Sequence, residues 1–261
     1  MKRYLAILAS CTVLALAVPR GAAAGTISGT WSLGATPTTA GTAQLELKSK
    51  SEDARGTHDD ENAHDVTLAS IDVSDARLNG PGGHLTFTLA RDAGNIVCDG
   101  WAGSGTGSGR FTFTPNAAYA EGMRSRGAGS MTDREQLGAA MLDLSLGYVD
   151  GIVKAGFSQV PFHDLLGMRA LGVTPDYIAQ MKAAGVAFAS PRETIEARAL
   201  RVDPGYVREM SAVGYPNLKV RQLVELRALR IDADYVRKVA SHGFRGLTVQ
   251  KLVEVKATNV I

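Results

Sequence analysis

The chain has 261 residues, 45% of them apolar, and its 28 basic and 26 acidic side chains leave a net charge of +2. So even a balance argues against a nucleic-acid partner, because phosphate backbones select strongly basic faces. After residue 24 no run reaches the ~18 apolar residues that would span a bilayer, and only one cysteine, Cys98, remains, so an internal disulfide is excluded there.

Residues 1–24 carry Lys2 and Arg3, an apolar stretch from Tyr4 to Val18, and Ala22, Ala23 and Ala24 before Gly25. This is the grammar of a secretory signal peptide, and it predicts a periplasmic or secreted chain cleaved after Ala24. Leu8, Ala9, Ser10 and Cys11 offer an alternative lipidation box, but more apolar sequence follows Cys11, whereas an anchor cysteine should close that region.

Residues 25–115 alternate with period two. Residues 44–48, 84–89, 95–101 and 110–114 read as strands of a small antiparallel sheet, with Leu85, Phe87 and Leu89 on one face and Phe111 and Phe113 likewise paired. Trp31 and Trp101 are expected to supply much of its buried apolar area. Residues 49–65 are highly polar and predict a long acidic loop. His58, Asp59, Asp60, Glu61, His64 and Asp65 in that stretch match no established metal-ligand spacing, so a solvated loop is expected and no metal is assigned. Residues 103–109, GSGTGSG, lack the lysine of a phosphate-binding loop and lead into a strand, which predicts a flexible hairpin turn. Cys98 reads as a small buried apolar residue.

Beyond Pro115 the chain repeats. Tyr119, Tyr148, Tyr177, Tyr206 and Tyr235 stand 29 residues apart, and Gly127, Gly156, Gly185, Gly214 and Gly243 keep the same interval. Three residues before each tyrosine come Asn116, Ser145, Thr174, Asp203 and Asp232, types whose side-chain oxygens accept from the free donors of a helix start. Apolar residues such as Tyr206, Val207, Met210 and Val213 then recur at helical spacing, and each glycine suits a left-handed cap. A second helix follows in each unit. Thr132 with Glu135, and Ser190 with Pro191 and Glu193, read as its capping boxes, while Pro161 and Lys219 are weaker starts. Neither helix buries its stripe alone, so the units must stack, as a solenoid or as a compact right-angled bundle.

The predicted class is therefore α+β, with an antiparallel β-domain at 25–115 and an all-α array of 29-residue repeats at 116–261. Only Pro115 and Asn116 separate the two, so the β-domain is expected to cap the array. Charge divides with them: 25–115 holds 6 basic and 11 acidic residues, and 116–261 holds 19 and 15. Arg169, Arg198, Arg227 and Lys256 recur at one repeat position and form a possible partner-binding row.

The run CDGWAGSGTGSGRFTFTPNAAYAEGMRSRG, with units such as LGVTPDYIAQMKAAG and VDPGYVREMSAVGYPNL, resembles bacterial exported proteins that join a small β-domain to such helical repeats. The repeats are also similar to those in extracytoplasmic tails of membrane metallopeptidases of the β-lactam-sensing antirepressor type. This chain has neither the membrane helices nor the zinc motif of those peptidases, so the resemblance implies a shared interaction module in envelope sensing and none of their catalysis. No HExxH, GxSxG or paired-cysteine motif appears, and neither a catalytic residue nor a cofactor is assigned. The leading expectation is an exported, non-enzymatic array that binds a protein or cell-envelope component. The alternative is a small-molecule or metal-binding β-domain for which the repeats serve as scaffold.

Overall fold

The computed structural model describes residues 25–35, 41–53 and 56–258, so the expected leader at 1–24, with Cys11, lies outside the described residues. The chain is α+β. Six strands, β1 (Ile27–Ala35), β2 (Thr42–Asp53), β3 (Gly56–Thr67), β4 (Gly83–Arg91), β5 (Gly94–Gly103) and β6 (Thr106–Pro115), form one antiparallel sheet in the order β3-β2-β1-β6-β5-β4. Two three-stranded meanders thus meet along β1 and β6. One face is buried and the other is polar and open, the pattern of an antiparallel sheet covered on one side only.

Trp31 fills the centre of the buried face, edge-on to Phe87 at 5.1 Å, with its indole nitrogen donating to the Asp99 carbonyl at 3.1 Å. It needs a floor without side chains. Gly107 and Gly109 provide one, since a Cβ on Gly109 would stand 2.7 Å from the Trp31 nitrogen and 2.0 Å from the Asp99 carbonyl oxygen. The glycine-rich run is therefore mostly strand, and its turn is confined to Ser104 and Gly105, both at positive φ. Cys98 is buried, and its thiol is pushed up to about 12 by desolvation. Trp101 departs from expectation. It sits on the opposite parity from Ile96, Cys98 and Ala102, faces the open side, and is 62% exposed.

The expected acidic loop at 49–65 is instead the far half of a long hairpin, with β2 and β3 paired from Thr42 opposite Thr67 to Asp53 opposite Gly56. A polar sequence can hold this ladder because one set of its residues faces water and costs nothing to place there. Lys48 bridges Glu46 at 3.0 Å and Glu61 at 3.7 Å, and Arg134 from the helical region binds Asp60 at 2.9 Å. The extended chain also separates Asp60, Asn62 and His64 from Glu61 and Asp65 on opposite faces. Among the described residues no group of three or more metal-ligating side chains converges.

A 3-10 turn (Leu68–Ile71) and α1 (Asp75–Asn79) lie in the β3–β4 crossover and cover part of the buried face with Leu68, Ile71, Val73 and Leu78. The remaining helices form the array: α2 (Ala117–Ser125), α3 (Asp133–Met141), α4 (Leu146–Lys154), α5 (Phe162–Ala170), α6 (Pro175–Ala183), α7 (Pro191–Ala199), α8 (Pro204–Ala212), α9 (Val220–Ala228), α10 (Ala233–Ser241) and α11 (Val249–Thr258). Among the described residues, no helix is long and apolar enough to cross a membrane.

The five caps before the tyrosines are made, Thr132 and Glu135 form their capping box, Ser190 accepts from the Glu193 N–H while the Glu193 carboxylate takes the Ala189 N–H instead of closing the box, and Pro161 makes no side-chain cap. Ser145, Thr174, Asp203 and Asp232 each accept from the backbone N–H of the tyrosine three residues on, and Asn116 accepts from Ala118. The five repeated glycines all have positive φ, and the residue after each donates back into the helix, as Val186 does to the Met181 carbonyl at 2.9 Å. The first helices pack in sequence, α2 on α4, α4 on α6 and α8 on α10, while α5 packs on α7 and α7 on α9. Two parallel rows of helices make this a solenoid rather than a right-angled bundle.

The array does not hang from the sheet. Helix α3 crosses the buried face and packs on β3, β4, β5 and β6. Asp92, between β4 and β5, accepts from the Leu146 N–H at 3.0 Å, and its carbonyl accepts from the Asn116 side chain at 2.8 Å. Tyr119 and Met123 are fully buried, and one continuous apolar core runs from Trp31 to Leu252.

Candidate interaction surface of the array

What the repeated tyrosines do is set by their depth. In the first four units the ring lies in the groove between its own helix and the following unit, and its hydroxyl donates to a backbone carbonyl 25 residues ahead. Tyr119 reaches Leu144 at 2.7 Å, Tyr148 reaches Val173 at 2.8 Å, Tyr177 reaches Val202 at 2.7 Å, and Tyr206 reaches Ile231 at 2.8 Å. Each bond satisfies a carbonyl just before the next helix cap, so it fixes where the next unit begins. Tyr235 breaks the series: its hydroxyl is buried without a partner among the described residues. Burial disfavours the phenolate, so Tyr148, Tyr177 and Tyr206 are pushed up to about 12 against a smaller opposing pull from their neighbouring arginines. Tyr119, with Asp92 nearby as well, is pushed higher.

The basic row lies on these same rings. Arg169 stacks over Tyr148 at 5.5 Å, Arg198 over Tyr177 at 5.1 Å, Arg227 over Tyr206 at 4.6 Å, and the Lys256 ammonium sits 4.2 Å above Tyr235. Arg169 also donates to the carbonyl of Leu142 at 2.9 Å and pairs with Asp143 at 3.3 Å, and Arg198 donates to the Leu171 carbonyl at 3.2 Å. All four are half-buried. The row exists, but the guanidinium planes are engaged with the preceding unit, and it is a seam between repeats rather than a free stripe.

Free cations lie on both rows of helices, with Arg192 on α7 and Arg221 on α9 exposed and without an ion pair among the described residues, but the first helices carry one in each of four successive units. Lys154 on α4, Lys182 on α6, Arg208 on α8 and Lys238 on α10 are exposed and make no ion pair among the described residues. They occupy different repeat positions, but all fall on the half of the helix opposite the buried tyrosine stripe. A search for cations at one identical position cannot find them; projecting each helix onto its outward face does. Of the carboxylates on the same side, Asp150 is held by Arg126 at 2.6 Å and Asp234 by Arg237 at 2.6 Å, whereas Asp176 on α6 and Glu209 beside Arg208 are exposed without an ion pair among the described residues. Between α6 and α8 the small residues Ala183, Ala184, Ser211 and Ala212 leave a shallow groove of about 610 Å³, flanked by Gln180 and Arg208. Such an arrangement offers charge and shape to a polymer laid along the array, with no cluster of acid, base and nucleophile at any point of it. No family model, curated protein or solved structure matches the chain.

Proposed function

We propose that the protein is an exported, non-enzymatic interaction module whose helical array binds a protein or cell-envelope partner in envelope sensing. The observation that carries this reading is the succession of one free cation on each of four stacked first helices, beside a groove of small residues. The hydrogen bonds from tyrosine to the following unit tie these helices into one stack, so little order is lost when an extended acidic segment settles on them. A partner recognised this way binds with strong salt dependence.

The test is capture of envelope proteins by the full chain after leader removal, beside a variant carrying Lys154→Gln, Lys182→Gln, Arg208→Gln and Lys238→Gln. All four positions are exposed, so the variant keeps its thermal midpoint. A protein retained by the parent, released by salt and lost by the variant supports the reading, and equal retention by both rejects this face.

A further inference from the structure

The open face of the sheet holds a second feature that the array reading leaves unused. Trp101 is the most exposed large apolar side chain of the described sheet, at 62%, on a surface that apart from Val97 is mostly hydroxylic and charged. Directly across from it stand His84 on β4 and Ser108 on β6, and the same row continues through Ser32 on β1 to Glu46 on β2. The indole edge lies beside Gly82, where a Cβ would stand 3.1 Å from its nitrogen, so the absence of a side chain at 82 leaves room for the ring. A shallow basin of about 400 Å³ opens beside it, lined by Pro81, Gly82, Ser104 and Thr106.

The polar groups around the indole are ordered as well. Asp99 accepts from Thr86 at 2.8 Å and pairs with His84 at 2.9 Å. Ser32 donates to Glu46 at 2.9 Å. Hydrogen bonds with Glu61, Lys48 and Ser32 hold the Glu46 carboxyl down to about 2, so it remains an acceptor.

We propose that this face binds an oligosaccharide of pyranose rings, one ring stacked on Trp101 and the rest laid across the strands over Ser108 and Ser32 toward Glu46. A pyranose presents an apolar C–H face to an aromatic plane and hydroxyls at its rim, which matches one exposed indole ringed by carboxylate, imidazole and hydroxyl groups. A protein hot spot would instead surround the tryptophan with further apolar area. The nearest exposed apolar residue of that strand, Val97, lies four residues away, about 13 Å along it. From Trp101 to Glu46 are three strand spacings, about 14 Å, room for about three linked rings.

The protein reports on itself, since of its two tryptophans Trp31 is buried and Trp101 is open. Titration of the full chain with cellohexaose, and separately with the hexamer of N-acetylglucosamine, should quench or shift the exposed emission with at least one of them. Affinity should rise from the monosaccharide to about the trisaccharide, the span set by the strand spacing. By calorimetry, Trp101→Ala should weaken binding roughly tenfold or more and Trp101→Phe less, while unchanged Trp31 emission shows that the sheet stays folded. The four-fold glutamine variant of the array should bind the sugar normally, which separates this site from the helical one. Silence with both hexamers, or equal affinity in Trp101→Ala, overturns the proposal. So does a self-association that Trp101→Ala abolishes while no sugar binds, which would make a second copy the occupant.

Discussion

Tyr177→Phe removes one oxygen and nothing else from the packing, which makes it the sharpest probe of how the units are held together. The hydroxyl is buried and its 2.7 Å bond ends on the carbonyl of Val202, a residue with no exposed surface. No other donor reaches that carbonyl among the described hydrogen bonds, so the substitution strands it. A buried acceptor left in this state costs about 1–3 kcal/mol, more than the net value of an ordinary hydrogen bond. The Arg198 stack survives on a phenyl ring and contributes little to the difference. For a domain of this size the thermal midpoint should fall by about 2–4 °C per kcal/mol, and chemical denaturation should show a lower midpoint at unchanged slope. Tyr235→Phe is the internal control. Its hydroxyl has no partner among the described residues, so its loss should stay within about 0.5 kcal/mol of the parent. If the two variants behave alike, the tyrosine-to-carbonyl bond does not hold the repeats.

Two further outcomes follow from the same geometry. No atom lies within 4 Å of a Cβ built on Gly185 or Gly214, so alanine there should cost only the left-handed backbone penalty, about 1 kcal/mol. Gly127→Ala should cost more, because its Cβ would also meet the Gln159 backbone at 2.9 Å, and urea midpoints of the three variants give the order. The buried phenols predict alkaline lability. Tyr148, Tyr177 and Tyr206 are raised in the folded state, so their contribution is complete below the unfolded value near 10 and disappears as pH climbs through about 12. Stability measured by denaturant should therefore decline over that window, and Tyr177→Phe should decline less steeply.

Local chemistry made much of this fold legible. Caps and glycine termini are decided within four residues, so Ser145, Thr174 and Gly185 could be assigned from sequence alone. The second helices end differently: Asp143, Arg201 and Arg230 take positive φ where the equivalent Gly172 does, and three non-glycine residues conceal a repeated left-handed turn. The destination of each tyrosine hydroxyl, 25 residues on, is a property of stacking and leaves no local mark. The hairpin at 49–65 was hidden because its charges are matched by contacts far apart in sequence, Lys48 with Glu61 once the two strands pair and Arg134 with Asp60 once α3 lies on the sheet. For Trp101 the signal was present: Ile96, Cys98 and Ala102 share one parity and Trp101 has the other, which places it outward. The recurrence of the basic row is visible at a 29-residue interval, whereas its engagement with tyrosine rings depends on the pitch of the stack.

That pitch also explains the first unit. The position held by Arg169, Arg198, Arg227 and Lys256 is occupied in the first repeat by Ala140, which is completely buried where α3 crosses the sheet. Tyr119 accordingly has no stacked cation among the described residues and lies deeper than its successors. An arginine at 140 would match the later repeats and clash with the sheet, since a guanidinium there must either lose its water or push α3 away. Burying such a charge without a partner costs several kcal/mol, comparable to the entire stability of many domains. Ala140→Arg should therefore lower the thermal midpoint by 10 °C or more, on the order of 4 kcal/mol, and make the chain between β6 and α4 accessible to protease. Arg198→Ala, the reverse exchange one seam along, removes a half-exposed stack and one hydrogen bond and should cost about 1 kcal/mol. A repeat rule acting alone predicts the opposite order, with Ala140→Arg neutral or stabilising. Equal midpoints for Ala140→Arg and the parent would mean that the sheet does not cover the first unit, and the two halves would then be joined by little more than the chain.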